Sequence, residues 1–435
     1  MRRLTILSAV LALAMTTLAA TASAAPRPQA PPAPSGFDSE RVWNSGTNDW
    51  EPMVAADPAS NYVYQMTTRY GGVKACGQGL QHCIYFRASS DNGTTWGTDF
   101  NMCSFACKNV QAQNDPVMKV ASNGTIYAVW MNDYDVMFAK SSNHGASWTA
   151  PIDFRTATGL SFTDKPEIEI SPTGQDVYVA FNASDSYIAA SHNGGASFAP
   201  AVKTNADTLY WFAEGGGVAP SGNVYFAESA ENQNSTGQVK LAVIRSTNGG
   251  TSWTTTFVDT SEQQPACPTK NCPADFYGAQ INLAVDSAGK VLAVYDKNTA
   301  AGAAMSSYVR TSTDGATWSA PVVVSSGGTV GSDFPVVTTG TTADDFRIAW
   351  QDDSKGATSW NTWYRRTTDG GSTFSAPVRL SNLGSGASYK NANGYAFPYG
   401  DYFAMSTDTD GTNNVIWSEG VSYIGPGGSW FTRGV

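Results

Sequence analysis

Charge is in short supply in this sequence. Asp, Glu, Lys and Arg account for 14% of its 435 residues, against roughly 25% in an average soluble domain. With 41% of the chain hydrophobic, the composition excludes a disordered polymer. Positive charge is the scarcer sign, 26 basic residues against 36 acidic ones for a net −10. Phosphate backbones are held by clustered Lys and Arg, so nucleic acid is excluded as a partner. Histidine occurs three times, at His82, His144 and His192. The three are scattered and only His82 lies near a cysteine, so ligand spacing argues against zinc, and no cofactor is expected.

No apolar run reaches the roughly 20 residues of a membrane-spanning helix. The longest follows Arg2 and Arg3, extends from Leu4 to about Leu18 and meets Ala22-Ser23-Ala24. That order defines a secretory signal peptide over residues 1–24, cleaved after Ala24. Residues 25–36, rich in Pro and Ala, follow as an extended linker, and a folded domain is expected over 37–435. Export favours disulfides over free thiols. The six cysteines form three close pairs, Cys76 with Cys83, Cys103 with Cys107 and Cys267 with Cys272. Nearest-neighbour pairing is expected, other connectivities being formally open.

What the chain has in quantity is Gly, Trp, Tyr and Phe, arranged in a repeat. Ser89-Ser90-Asp91-Asn92-Gly93-Thr94-Thr95-Trp96 recurs at Ser141–Trp148, Ser191–Phe198, Ser246–Trp253, Thr311–Trp318 and Thr367–Phe374. The fifth copy is degenerate, with Thr313 where the others have Asp or Asn. The copies are separated by about 50 to 65 residues, the spacing of four-stranded propeller blades with their loops. Asp or Asn bonds nearby N–H groups, Gly supplies a positive φ, and the aromatic packs beneath the turn. Between these turns lie strands such as Val63–Thr67, Ile126–Trp130, Val177–Phe181, Val224–Glu228, Val291–Tyr295, Phe346–Trp350 and Asn414–Trp417. Seven such strands face six turns. The mismatch resolves if the seventh sheet ends with Ser429–Arg433 and takes its fourth strand from Arg41–Asn44, leaving no open edge at the seam. The expected fold is therefore an all-β, seven-bladed β-propeller, with six blades as the alternative.

The six turns resemble the Asp-boxes, or BNR repeats, of the sialidase-like propellers, a likeness spanning about residues 37 to 435. It implies that the boxes lie away from the active site, which makes Asp91, Asn143, Asn193, Asn248, Asp369, His144 and His192 structural. Sialidases of that family carry an Arg-Ile-Pro motif, three arginines for a substrate carboxylate, and a Tyr–Glu nucleophile pair with an Asp acid/base. Arg-Ile-Pro is absent here. Arg87, Arg245, Arg310, Arg366 and Arg433 fall in third strands, where a solvated outer face is expected. Only Arg69 is placed to reach the central mouth.

Function is expected on the opposite face, where loops enter the innermost strands. Aligned there, the blades offer Glu51, Asp115, Asp164, Glu214, Gln280, Asp333 and Asp401, six carboxylates in seven positions. They read as a polar funnel with acid/base capacity, or, individually, as acids that merely form turns. Blade four departs most from the repeat. Trp211-Phe212-Ala213-Glu214 runs into three glycines, and Glu228 stands where other blades carry aromatics, with Glu231 after it. A buried acid is costly unless paired, which marks Glu214 and Glu228 for function. The last blade adds Tyr399, Asp401 and Tyr402. The resemblance places the nucleophile at Tyr402 and its base at Glu214 or Glu228, with Asp115 and Asp401 as further catalytic candidates. Arg69, Glu51, Trp211, Glu231 and Tyr399 are the substrate-binding candidates. Glu167 and Glu169 are expected to pair with Lys119 of the next blade, and Asp408-Thr409-Asp410-Gly411, which lacks later calcium ligands, to form a hairpin turn. The expected activity is that of a secreted, monomeric glycoside hydrolase cutting terminal sugars from a glycan or oligosaccharide. A polysaccharide lyase and a non-catalytic carbohydrate-binding propeller are the alternatives.

Overall fold

The computed structural model describes residues 33–435 apart from 78, 107–109, 234–236, 264–277, 326–330, 356–360, 382–389, 392–393, 396–401 and 421–426. Seven four-stranded antiparallel sheets follow one another along the chain. Blade one consists of Asn48–Ala56, Val63–Tyr70, His82–Ser89 and Phe100–Asn101. The inner strands of the next five are Gln113–Val120, Asp164–Ile170, Tyr210–Val218, Ile281–Val285 and Ser332–Thr339. Blade seven is built from Ala404–Thr407, Asn413–Gly420 and Gly427–Gly434, and its fourth strand is Arg41–Val42. Arg41 pairs with Phe431 and Val42 with Trp430. The ring thus has seven blades and closes as the strand count requires, because an unpaired Gly427–Gly434 would leave an open edge.

All seven second strands are strands here, and their aromatics form the packing between blades. Tyr64, Trp130, Phe181, Phe226, Tyr295, Trp350 and Trp417 are buried among Val, Ile and Ala of neighbouring sheets. Among the described residues no helix is long and apolar enough to cross a membrane. The signal peptide and nearly all of the linker lie outside the described residues. Phe37 is buried, packs edge-on against Tyr364 and bridges Gly434.

The repeated turns share one hydrogen-bond pattern. In the first, Gly93 N–H donates to Ser89 Oγ (2.9 Å), and Thr95 donates through N–H (2.8 Å) and Oγ1 (2.6 Å) to the Asp91 carboxylate. Gly145, in the second turn, has φ 84°, and a Cβ there would overlap the Phe86 ring. The fifth copy is not degenerate as its sequence suggested. It is one residue tighter, so Asp314 takes the acid's place and accepts from Ala316 N–H and Thr317 N–H at 2.8 Å each. The Asp408 turn is a hairpin whose Oδ1 accepts from Asp410 and Thr412 N–H.

These turns carry an acid-stability prediction. Hydrogen bonds from Thr95 to Asp91, from Thr317 to Asp314 and from Thr373 to Asp369 hold each carboxyl at about 2, below the usual 3.8. A carboxyl depressed in the folded state stabilises fully above its unfolded pKa of about 4, and the contribution is lost as pH falls through about 2. Melting temperature is expected to fall between pH 4 and pH 2, less so in the triple Asp→Asn variant; an equally steep fall in that variant would assign acid lability elsewhere.

The third-strand arginines are more enclosed than expected. Arg87 donates twice to Gln65 Oε1 and lies between the rings of Trp43 and Trp96, at 4.1 and 4.6 Å from their centroids. Arg366 pairs with Asp345, which also holds buried Arg347. Burying the (CH2)3 stem while satisfying the guanidinium explains why a strand position that reads as solvated is not.

Candidate functional site

Four inner strands open with the same irregularity. Glu51, Asp115, Lys165 and Phe334 have φ of 51, 51, 46 and 57°, and each precedes a proline. The strand register slips at each of these positions, a β-bulge. Pre-proline residues avoid helical conformations, so a left-handed residue there is strained by about 1–3 kcal/mol. Bulges re-aim a side chain, and here they do so at the mouth of the ring. The bulge also corrects the alignment of the blade starts. Lys165, not Asp164, is the blade-three equivalent of Glu51 and Asp115, and Phe334, not Asp333, that of blade six, because the following proline fixes the position.

The acid ring therefore contains a lysine. Lys165 Nζ lies 3.5 Å from Asp115 Oδ2. Glu51 Oε2 accepts Thr68 Oγ1–H (2.8 Å) and the Asp115 N–H (3.2 Å), tying blade one to blade two. Burial pushes the Glu51 carboxyl up to about 8, the Asp115 charge adding to it. Burial alone would lower the Lys165 ammonium, but Asp115, Glu51 and Asp164 together raise it. Asp164 is pushed up to about 6, by burial and then by Asp115.

A cavity of about 650 Å3 runs along the axis, lined by inner strands of all seven blades. Asp115, Asp164, Lys165, Glu167, Glu214, Glu231 and Tyr402 are on its wall. Glu214 occupies the blade-four bulge; its Oε1 accepts Ser229 Oγ–H and its Oε2 the Ile281 N–H, both at 2.6 Å. Burial raises it to about 8. Lys119 Nζ pairs with Glu169 at 2.8 Å; Glu167, on the same wall, is raised to about 8 by burial, an effect that the Lys119 charge opposes and the Glu169 and Asp115 charges reinforce. Tyr402 donates its hydroxyl to Pro116 O (3.1 Å), and burial with Asp115, Glu51 and Glu167 nearby drives its pKa well up.

A groove of about 410 Å3 adjoins this cavity and shares Asp115, Asp164 and Lys165 with it. Its other walls include Trp50, Glu51, Tyr70, His82 and Asp133. Trp50 stacks on Tyr70 with centroids 4.1 Å apart, and Tyr70 lies 4.5 Å from His82. Burial holds His82 below its usual pKa.

Several sequence candidates lie elsewhere. Arg69 lines neither cavity: its Nε and Nη2 bind the buried Asp49 carboxylate at 2.8 and 2.9 Å, and its guanidinium covers the Tyr85 ring. Glu228 is fully buried, accepts Ser186 Oγ–H at 2.9 Å towards blade three, and is raised to about 7 by burial. Trp211 is buried and donates to Asp207. Among the described residues no arginine lines either cavity. The Cys76–Cys83 disulfide forms, and Cys103 is disulfide-bonded. Asp401, Tyr399, Cys107, Cys267 and Cys272 lie outside the described residues. Lys165, Glu167, Trp50, Tyr70 and His82 were not among the expected site residues. The X-Pro bulge signal marks the first, and counting register across paired strands marks the rings.

No protein-family model and no curated protein sequence matches the chain. Solved structures do. A Hadza microbial sialidase, Hz136, superposes with a TM-score of 0.51 at 14% identity over 89% of this chain, which spans 65% of that protein's length. A Dyadobacter fermentans protein of unknown function gives 0.52 at 13% identity, covering 92% of this chain and 98% of that one. An ulvan lyase of polysaccharide lyase family PL25, bound to a glucuronate–sulfated rhamnose unit, gives 0.53 at 14% identity, covering 91% and 95%. The fold, a seven-bladed β-propeller, is one this chain has in common with a sialidase and a polysaccharide lyase.

Proposed function

We propose that the chain is a secreted carbohydrate-active enzyme, a glycoside hydrolase that removes terminal sugars at the mouth of the ring. The observation that carries this reading is the set of carboxyls on the cavity wall: Asp115, ion-paired with Lys165 at the boundary with the groove, and Glu167 with its proton affinity raised. Glycoside hydrolysis uses one protonated carboxyl and one carboxylate. Glu167 donates a proton to the glycosidic oxygen as its bond to the anomeric carbon breaks, the Asp115 carboxylate meets the positive charge that develops there, and water adds to that carbon and returns a proton to Glu167. Glu214, fixed by Ser229 and Ile281, shapes the wall. Tyr402 remains a phenol, which speaks against a tyrosinate nucleophile. A sugar carboxylate calls for clustered guanidinium groups, which no described residue of these cavities supplies, and with Asp115 and Glu169 paired to lysines the wall offers no free cation to such a sugar, which favours an uncharged one.

One arrangement favours a second reading, a lyase. His82, its pKa lowered by burial, stands beside Tyr70 in the groove that also contains Lys165, and so a base, a phenol and a cation are available for β-elimination of a uronate. A panel of neutral and uronate oligosaccharides separates the two. New reducing ends without ultraviolet absorbance are expected; absorbing, unsaturated products would replace the hydrolase with the lyase, and binding without product would leave a carbohydrate-binding propeller.

Secretion makes a separate prediction. Exported protein is expected to begin at Ala25 by mass spectrometry, and a mature chain that retains Leu4–Leu18 would overturn it.

A further inference from the structure

We infer that the groove beside the axial cavity is a second sugar subsite. The substrate is then an uncharged oligosaccharide whose terminal unit enters the cavity while the next unit lies against the Trp50–Tyr70–His82 rings, an assignment that rests on the glycoside-hydrolase reading.

The geometry is that of a platform rather than a core. Tyr70 pairs directly with His82 across neighbouring strands, and Trp50 stands diagonally from Tyr70 on the other side. All three side chains are half-buried and line open space, unlike the fully buried aromatics between blades. Trp50 Nε1–H donates to Asn48 Oδ1 at 2.7 Å, which fixes the ring's orientation. Aromatic rings with one wet side suit the C–H faces of a sugar, and polar groups set among them fix its hydroxyls. Glu51, Asn114, Asp115, Asp133 and Asp164 supply those acceptors and donors. Asp133 is itself anchored by the Gln111 and Ala112 N–H groups, so its carboxylate is positioned in advance.

Two features say where the scissile bond lies and what charge the chain carries. Asp115, Asp164 and Lys165 line both compartments, so a bond at their boundary has one sugar on each side. Asp115, Asp133 and Asp164 face one lysine that is already paired with Asp115, while Glu51 stays protonated below about 8, an environment that repels uronates and sulfate esters.

The test uses the full chain and neutral ladders, gluco-, xylo-, manno- and chito-oligosaccharides from dimer to hexamer, beside an oligouronate ladder. For the neutral ladder that is cleaved, kcat/KM is expected to rise with length, chiefly through KM. Trp50→Ala is expected to reduce the long-to-short kcat/KM ratio about tenfold, equivalent to ~1.4 kcal/mol, and Trp50→Phe to restore most of it. If Trp50→Ala does not fold, His82→Ala at the other end of the stack takes its place. Hydrolysis with a ratio indifferent to these changes would overturn the subsite and leave the hydrolase reading standing. If nothing is cleaved, calorimetric titration with the same ladders decides: ring-dependent affinity that grows with length upholds the groove and removes the hydrolase, and no affinity overturns both. Preference for oligouronates would overturn the uncharged class.

Discussion

Asp115→Asn and Glu167→Gln are each expected to lower kcat on a cleaved glycoside by about 10²–10⁴, the usual contribution of a positioned acid or base. Neither change alters side-chain length. Asn accepts a left-handed conformation at least as readily as Asp, so the φ of 51° at position 115 is retained. Asp115→Asn does remove the carboxylate 3.5 Å from Lys165 Nζ, a loss that can cost stability, and unfolding must be followed alongside turnover. The Glu167 variant also predicts a change in the pH profile. Its carboxyl is raised to about 8, so the protonated, donating form prevails below that pH. The wild-type rate should fall as pH rises through about 8, and Glu167→Gln should remove that limb along with most of the rate. Glu214→Gln should affect KM and stability more than kcat, since both its oxygens are engaged by the protein. Were Glu214→Gln to abolish turnover while Glu167→Gln preserved it, the proton donor would be Glu214, on the blade whose departure from the repeat marked it for function.

The blades were legible because their signals are local and repeated. Ser, Asp or Asn, Gly and an aromatic within eight residues define a turn whose Ser and Asp side chains bond within it, so each copy could be read without knowing its neighbours. The seam was legible by counting strands. The site was less so, because its chemistry depends on register between strands. Asp164 and Lys165 are adjacent in sequence, and only the proline at 166 shows which occupies the strained position. Glu167 and Glu169 lie on one strand face, yet Lys119 makes its close ion pair with Glu169 and acts on Glu167 only through its charge, and the difference changes a structural acid into a candidate proton donor. Arg69 pointed to the mouth by position, but its partner Asp49 is paired with it directly across the neighbouring strand, so the bidentate ion pair wins over solvent.

Trp43→Ala is expected to destabilise the fold by about 3–5 kcal/mol, the range for deleting a large buried aromatic. Trp43 follows the two-residue strand that completes blade seven, and its N–H donates to Ser429 O at 2.8 Å. Its ring packs with Val54, Ala404, Ile416 and Phe431, a cluster shared by the first and last blades. The indole Nε1–H donates to Asp99 (2.9 Å), and the ring covers Arg87. Truncation therefore leaves a cavity and uncovers the Arg87 guanidinium, which donates twice to Gln65 Oε1. Bringing the chain's two ends together adds little entropic penalty, since each doubling of a loop costs only ~0.6 kcal/mol. What the strand supplies instead is a partner for Gly427–Gly434, whose N–H and C=O groups would otherwise form an exposed edge prone to pairing with another molecule. Trp43→Ala should thus lower the urea midpoint and promote aggregation, whereas Tyr134→Ala, an exposed aromatic, should leave the midpoint within error. A Trp43 variant with an unchanged midpoint would mean that the ring is held closed without its N-terminal strand.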